Sequence, residues 1–277
     1  MDWLTEEKIP IGKWAKIFVD FLTEHGSWFF DGLAVALENF ITVILFLLQW
    51  PPALLTVGLA TALSFYLRRS IGFSVFVALG LLLIINQGYW EETTETLALV
   101  LASTFVCMVI GIPVGIFAAR RPWFYSAIRP ILDLMQTIPT FVYLIPALIL
   151  FGLGMVPGLI ATVIFALPAP IRLTQLGISS TPPELKEAGL AFGGGPWAIL
   201  WKIEIPYALP QIRAGITQTI MLSLSMVVIA ALVGADGLGV PTLRALNQVN
   251  IAKGFEVGVA IVLVAIILDR LIRSSKD

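Results

Sequence analysis

The sequence predicts an all-α fold, a polytopic transmembrane helical bundle with about seven spans and an N-terminal interfacial helix. Of the 277 residues, 58% are hydrophobic and only 13% are charged. The mean hydropathy of +0.94 exceeds what a soluble domain of this length needs for its core. The hydrophobic residues also fall in runs of about 20, the length at which a helix crosses a bilayer. Composition and run length therefore both indicate an integral membrane protein.

The N-terminal region is predicted to be a polar tail or surface helix over residues 1–27, followed by an amphipathic helix over 28–49. Four polar residues recur at intervals that place them within about 20° of one line on that helix. They are Asp31, Glu38, Thr42 and Gln49. A narrow polar stripe suits a helix in the membrane interface, or one packed against protein, better than a lipid-facing span. The interface is the favoured interpretation.

Seven apolar runs follow the turn at Trp50, and each approaches the length that spans a bilayer. They are predicted near 52–67, 71–88, 97–118, 132–153, 157–176, 213–235 and 253–270. The chain is accordingly divided into an N-terminal tail and scaffold helix over 1–51, scaffold transmembrane helices over 52–94, and a core over 95–277. A polar loop at 181–210 interrupts the core.

Basic residues fall mainly on one side of this arrangement. Twelve cationic side chains lie in the loops of that side and at the C-terminus: Arg68, Arg69, Arg120, Arg121, Arg129, Arg172, Lys186, Lys202, Arg213, Arg270, Arg273 and Lys276. The opposite loops contain two cationic and four acidic residues: Arg244, Lys253, Glu91, Glu92, Glu95 and Asp236. By the positive-inside rule, the loop at 181–210 and the C-terminus face the cytoplasm. An odd number of spans then puts the N-terminus outside.

Two spans are predicted to be interrupted by prolines, and irregular backbone at membrane depth requires protein or a cavity around it. The fourth span is predicted to break at Pro139 and Pro146, and the fifth at Pro168 and Pro170. Two glycines four residues apart, Gly111 and Gly115, permit another helix to approach closely. These features indicate a bundle with non-ideal helices at its centre.

The polar loop begins with a predicted short helix. Thr181 and Glu184 are spaced as a capping box, and Pro182 suits the first turn of a helix. Four apolar or small residues then share one helical face: Leu185, Ala188, Gly189 and Phe192. This pattern predicts a capped helix over 182–192.

A glycine hinge and a second helix complete the loop. Three glycines at 193–195 are expected to end the first helix, and the second is predicted to run from Pro196 to Pro206. Such a helix pair can be a plain connector between spans. Its apolar face and its hinge favour a surface that inserts into a groove on a partner.

Read from Glu187, the loop resembles the cytoplasmic signature of binding-protein-dependent ABC importer permeases, which is Glu-Ala-Ala, then Gly, then Ile-x-Leu-Pro at fixed spacing. Here the spacing matches throughout, with Gly189 in the third place and Ile205 in place of Leu. The resemblance implies a coupling helix that docks into a groove on an ATPase subunit. The ATPase-coupling residues are then Glu184, Glu187, Ala188, Gly189, Gly193, Ile203 and Pro206.

Longer strings resemble permeases for glycine betaine, proline betaine, choline and related osmoprotectants. They are LDLMQTIPTFVYLIP at 132–146, FALP at 165–168 and LSMVVIAA at 224–231. This resemblance identifies the chain as a member of the type I, MetI-like ABC importer permeases of a prokaryotic inner membrane. It implies ATP-driven import of a quaternary amine in osmoprotection. The implied partners are a second permease copy in a homodimer, ATPase subunits that hold ATP and Mg, an extracytoplasmic substrate-binding protein and membrane lipid, with no nucleic acid.

A cationic substrate calls for aromatic or carbonyl surfaces, because a cation over an aromatic face is stabilised by roughly 0.5–2 kcal/mol and can still leave. The candidate translocation path comprises Asp133, Gln136, Thr137, Phe141, Tyr143 and Phe165. Ordinary packing between helices explains each aromatic residue equally well. Asp133 and Arg172 lie near the cytoplasmic ends of their spans, where a snorkelling role and a gate role are both open.

The chain is not expected to be an enzyme. It has no G-x-x-x-x-G-K-[ST] phosphate loop, so ATP hydrolysis is assigned to a partner and no cofactor to this chain. His25 and Cys107 are the sole His and Cys, which supplies neither a metal site nor a catalytic set. Two alternatives remain: an ABC permease for another small solute such as an amino acid, and a secondary transporter. The second would be expected to have duplicated halves and a charged residue in mid-span.

Overall fold

The computed structural model describes residues 10–272, and within that range every regular element is a helix. The helices are α1 Ile11–Gln49, α2 Ala53–Arg68, α3 Ile71–Asn86, α4 Trp90–Arg120, α5 Pro122–Thr137, α6 Thr140–Phe151, α7 Met155–Ala166, α8 Pro168–Ser179, α9 Pro183–Ala191, α10 Pro196–Ile199, α11 Ile205–Ala230, α12 Gly239–Asn247 and α13 Ile251–Ile272. A π-helical segment, Leu200–Glu204, joins α10 to α11, and a 3₁₀ turn, Ala231–Val233, follows α11. The predicted all-α class is confirmed.

Long apolar helices make up most of the bundle. Within residues 10–272, five stretches are long and apolar enough to cross a membrane: Gly12–Gln49, Trp90–Arg120, Met155–Ser179, Pro196–Val233 and Ile251–Ile272. The pair α5 and α6, bent by 95° at the break between them, gives a sixth if it is one span. The apolar helices α2 and α3 are shorter. Each of the seven predicted spans coincides with one of these elements, α2 and α3 being the first two.

The N-terminal helix α1 is longer than the sequence analysis predicts. It runs unbroken for 39 residues, about 58 Å, so residues 11–27 belong to the same helix as the polar stripe. Residues 1–9 lie outside the described part. The Gln49 side-chain amide donates to the Thr94 hydroxyl on α4 at 2.8 Å. Glu38 and Thr42 line a groove that Asp236 also lines. Glu38, Thr42 and Gln49 are nevertheless exposed, so a contact with protein is shown for Gln49 alone, and the interfacial position of α1 stays a prediction.

The centre of the bundle consists of α4, α8 and α11, which approach one another through glycines. A Cβ added at Gly111 would lie 2.8 Å from Pro170 Cγ on α8. One added at Gly115 would lie 2.7 Å from the Ile171 carbonyl oxygen. Small residues at interfaces allow helix backbones to come close in a membrane. The predicted close approach at Gly111 and Gly115 is confirmed.

The predicted proline interruptions are confirmed at two positions and wrong at two. Ile138, the residue before Pro139, is held in an extended conformation (φ −66°, ψ 130°), and this separates α5 from α6. At Pro168 the interruption is only local: α7 ends at Ala166, Leu167 keeps helical angles (φ −55°, ψ −34°), and Pro168 opens α8 within the stretch Met155–Ser179. Pro146 lies inside α6 and does not break it. Pro170 lies in the first turn of α8, where a proline is tolerated because no intrahelical amide bond is needed.

Replacing Gly115 by Ala is expected to destabilise the bundle, because the new methyl group would meet the backbone carbonyl of Ile171. Overpacking of this kind costs about 1–3 kcal/mol. The midpoint of thermal unfolding of the purified protein in detergent should fall accordingly. Gly258→Ala on α13 is the matched control, because nothing lies within 4 Å of a Cβ added there. Equal midpoints for the two variants would contradict tight packing of α4 on α8.

Candidate functional site

The signature loop, residues 181–210, begins with α9, and the capping box predicted for this helix is wrong. No side chain caps α9, and the buried Thr181 hydroxyl has no hydrogen-bond partner among the described residues. The reason is Pro183, because the residue before a proline is held in an extended conformation. Pro182 therefore takes the cap position (φ −55°, ψ 136°), and Thr181 lies one residue too early. Glu184 remains in the first turn, where a negative charge is favourable.

The glycine hinge after α9 is confirmed. Gly193 has a φ of +78°, in the left-handed region that favours glycine. The backbone N–H of Gly194 donates to the Gly189 carbonyl oxygen at 2.9 Å, which closes the end of the helix. Nothing lies within 4 Å of a Cβ added at Gly193, so the backbone angle and not crowding calls for glycine there.

Two apolar side chains of the signature loop are exposed at α9 and its C-terminal end. Leu185 is 44% exposed and Phe192 is 93% exposed. Gly189 faces the bundle instead, where an added Cβ would lie 2.5 Å from Ile203 Cδ1. The apolar face predicted from helical spacing is therefore split between an inner contact and an outer surface. Of the other predicted coupling residues, the exposed ones are Glu184, Glu187, Ala188, Gly193 and Pro206.

The second helix of the loop does not end at Pro206, contrary to the sequence-based prediction. The segment Pro196–Val233 is one continuous helical stretch. Within it, the Ile205 N–H bonds to the Leu200 carbonyl oxygen, five residues back. The wider π turn accommodates Pro206, whose ring would clash with the preceding turn of a regular helix.

A buried carboxylate in this loop was not identified from the sequence as a site residue. Glu204, at the variable place of the signature, is 5% exposed. Its Oε2 accepts from Arg120 Nη2 at 2.9 Å, and its Oε1 lies 3.2 Å from Lys186 Nζ. Arg120 Nη2 also donates to the Pro196 carbonyl oxygen at 3.1 Å. A buried carboxylate requires such partners, because an unpaired charge is costly to remove from water. The sequence feature that could have indicated a buried carboxylate is the single acidic residue among apolar neighbours in the string IEIP.

Asp133 and Arg172, identified separately from the sequence, form an ion pair. Arg172 Nη2 lies 2.6 Å from Asp133 Oδ1, and the contact joins α5 to α8. Both side chains are partly exposed, so the pair contributes no more than about 1 kcal/mol. Gln136 and Thr137 lie in the same last turn of α5, next to the 95° bend. The pair therefore holds the α5 half of the bent span near the core without anchoring it strongly.

The aromatic candidates on the broken spans separate into two groups. Tyr143 of α6 and Phe165 of α7 both pack against one cluster of buried residues, which includes Met226 of α11. The Tyr143 hydroxyl is buried and has no hydrogen-bond partner among the described residues. Phe141 is 57% exposed and is not part of that cluster. The structure thus brings Tyr143 and Phe165 together and leaves Phe141 apart.

Acidic residues gather at the opposite end of α4 from Arg120, about 45 Å away along the helix. A pocket of about 180 Å³ there is lined by Glu91, Glu92, Glu95, Asp236 and Arg244 among others. Close to it, the Tyr89 hydroxyl donates to Glu256 at 3.3 Å. Partial burial, and then the Glu256 carboxylate, raise the pKa of Tyr89 above its usual value. The bundle therefore has a basic end at the signature loop and an acidic end opposite.

Comparison with known proteins places the signature loop within a larger match. Residues 111–275 match the family described as binding-protein-dependent transport system inner membrane component. The chain is 45% identical to the glycine betaine transport system permease protein of Bacillus subtilis (strain 168), over 97% of this chain and 95% of that protein. It is 43% identical to the glycine betaine/proline betaine transport system permease protein of Escherichia coli (strain K12), over 95% of this chain and 74% of that protein.

Solved structures share the fold. An inward-facing conformation of the MetNI methionine ABC transporter, in its native crystal form, matches with a TM-score of 0.59 and 26% identity. The match covers 67% of this chain and 94% of that chain. A second crystal form of the same transporter gives a TM-score of 0.57 at 27% identity, over 65% of this chain and 92% of that chain.

Proposed function

This chain belongs to the family of binding-protein-dependent transport system inner membrane components, and we propose that it is the permease subunit of an ATP-driven importer for glycine betaine, proline betaine, choline or a related quaternary amine. Three relatives that match at least 95% of this chain are named as permeases for glycine betaine, alone or with carnitine or proline betaine. An amino-acid importer is supported only by the fold similarity, at lower identity. Energy comes from a separate ATPase.

The exposed apolar surface of α9 is the observation that carries the coupling role. Leu185 and Phe192 lie exposed on a short helix at the basic end of the bundle. Exposed apolar patches of this kind mark interaction sites, and the charge of Glu187 beside the patch adds specificity. The inner contact between Gly189 and Ile203 connects this surface to the π segment that leads into α11. The ATPase groove is the partner that this surface fits.

Tyr143 and Phe165 are the residues we assign first to the substrate path. They come from α6 and α7, the two helices joined by residues 152–154, and both pack against the same buried cluster. Their aromatic faces suit a quaternary ammonium group, which offers no hydrogen-bond donor and is held by cation–π contact. Phe141, Asp133, Gln136 and Thr137 extend this proposed path toward the signature loop.

The charge distribution supports a topology and a set of partners. The basic end with the signature loop is assigned to the cytoplasm, and the acidic pocket to the outside, where an extracytoplasmic binding protein delivers substrate. The proposed assembly is a homodimer of this permease in lipid with an ATPase on each signature loop. Seven spans put the N-terminus outside, whereas α1 as an eighth span would put it inside. Arg273 and Lys276, which contribute to the positive side, lie outside the described residues.

Gly193→Val is expected to weaken docking of the ATPase and to lower uptake of glycine betaine about tenfold or more. A β-branched residue at a φ of +78° costs about 1–3 kcal/mol, so the end of α9 must move. Glu187→Arg should have the same effect through its reversed charge. The measurements are co-purification of the ATPase and substrate-stimulated ATP hydrolysis in reconstituted vesicles.

Two control variants accompany this test. Gly195→Val adds the same side chain where φ is −72° and nothing lies within 4 Å, so docking should persist. Glu24→Arg makes the same charge change as Glu187→Arg on the remote, exposed surface of α1. Full docking and stimulation in both Gly193→Val and Glu187→Arg would reduce the loop to a connector.

Tyr143→Ala is expected to slow uptake severalfold while leaving the affinity of the external binding protein unchanged, because the residue contacts substrate only inside the membrane. Tyr143→Phe removes the buried, unpaired hydroxyl alone and should not lower stability. Phe141→Ala tests the exposed aromatic residue near the same bend. Initial uptake rates are compared at equal membrane abundance. If Tyr143→Ala and Phe141→Ala both match the parent, these residues serve packing only.

The topology is tested with single cysteines in a Cys107→Ser background and an impermeant thiol reagent added from outside. Position 92 should be labelled, whereas positions 121 and 194 should be protected, because the basic loops stay in the cytoplasm. Labelling at 194 but not at 92 would reverse the orientation. Position 12 is expected to be labelled, and protection there would make α1 an additional span.

A further inference from the structure

The carboxylate of Glu204 joins three parts of the chain that the sequence keeps apart. It lies on the π segment that leads into α11. One of its oxygens meets Arg120 at the end of α4, and the other meets Lys186 on α9. Arg120 also reaches the Pro196 carbonyl oxygen at the start of α10. Because each carboxylate oxygen has its own cation, the link to α9 and the link to α4 are separate contacts.

The helix α9 has few other attachments to the bundle. None of its residues is buried, and its close contact is that of Gly189 with Ile203. Apolar packing therefore attaches α9 to the bundle near one point, beside the Gly193 hinge. The ion pair between Lys186 and Glu204 adds a second attachment, at a carboxylate that is itself fixed by burial and by Arg120.

On its Arg120 side, the Glu204 cluster adjoins the packed core of the bundle. Arg120 is the last residue of α4, the helix whose Gly111 and Gly115 lie against α8. A displacement of α9 that reaches Glu204 is therefore applied to α4 and, through the glycine contacts, to α8. A π segment at this junction suits the role, because such segments are frequent at functional sites in helices.

We propose that Glu204 is a positioning residue that transmits movement of the ATPase-bound helix α9 to α4. Its two partners have different roles: Lys186 moves with α9, and Arg120 transmits the movement from Glu204 to the membrane-spanning helices. The inference rests on the proposed coupling role of the signature loop. It adds that docking and coupling are separable, since the Glu204 carboxylate is buried against the bundle, whereas Leu185 and Phe192 of the docking surface are exposed.

The test uses the complete transporter in vesicles, with glycine betaine as the transported probe and the ratio of ATP hydrolysed to substrate imported as the readout. Lys186→Met removes the link to α9 but leaves Glu204 paired with Arg120, so the fold should persist. The ATPase should still co-purify and still be stimulated by substrate. The ratio should rise roughly fivefold, a size of change typical for residues that modulate coupling. A purely structural role would change abundance and leave this ratio constant.

Glu204→Gln should raise the ratio as well, and the double variant with Lys186→Met should be no worse than Glu204→Gln alone, because Glu204→Gln already removes the charge with which Lys186 pairs. If Glu204→Gln fails to accumulate in the membrane, Lys186→Met decides the question by itself. Arg121→Met is the matched control, an exposed cation next to Arg120, and should leave the ratio unchanged.

Two results would overturn the inference. One is a parental ratio in Lys186→Met with the ATPase bound. The other is loss of the ATPase from Lys186→Met, which would make the lysine a docking residue. Failure of the proposed function is a different outcome, because the unaltered permease would then bind no ATPase or import no glycine betaine.

Discussion

Backbone hydrogen bonding inside hydrocarbon is the constraint on which the rest of this structure depends, because the bilayer core offers no partner to a free N–H or carbonyl group. The chain therefore forms helices, and the backbone accommodates its prolines, which lack an N–H donor, by local changes. At Pro139 the span bends by 95°. At Pro206 a π segment widens the turn. At Pro170 the first turn of a helix needs no amide bond. Irregular backbone thus occurs at the bend and within one long stretch, at the π segment of Pro196–Val233.

Close packing of these helices leaves little room for movement at the centre and concentrates it at the ends. Gly111 and Gly115 bring α4 against α8 so closely that an added methyl group would meet Pro170 or the Ile171 backbone. At the basic end, in contrast, α9 is joined to the bundle by one glycine contact and one ion pair with Glu204. A rigid core with a lightly attached terminal helix suits a protein whose movement is driven by a partner at one end.

Two ion pairs at that end differ in what they do. Glu204 is buried, and both of its oxygens are paired, so its cluster is sensitive to loss of any member. The Asp133–Arg172 pair is partly exposed and contributes little to stability, although it joins α5 to α8 near the bend and the proposed path. Burial, and not the number of ion pairs, separates a structural junction from a weak contact that substrate or solvent can replace.

The sequence by itself determined the features that are local or statistical: the all-α class from composition, the spans from run length, the hinge at Gly193 from a glycine cluster after a helix, and the family from the signature spacing. It failed where a neighbour decides the outcome. Thr181 does not cap α9, because Pro183 shifts the start of the helix. Pro146 does not break α6. Only the tertiary structure brought Arg120 and Lys186 to the two oxygens of Glu204, because these contacts depend on how separate helices pack, which no spacing along the chain records.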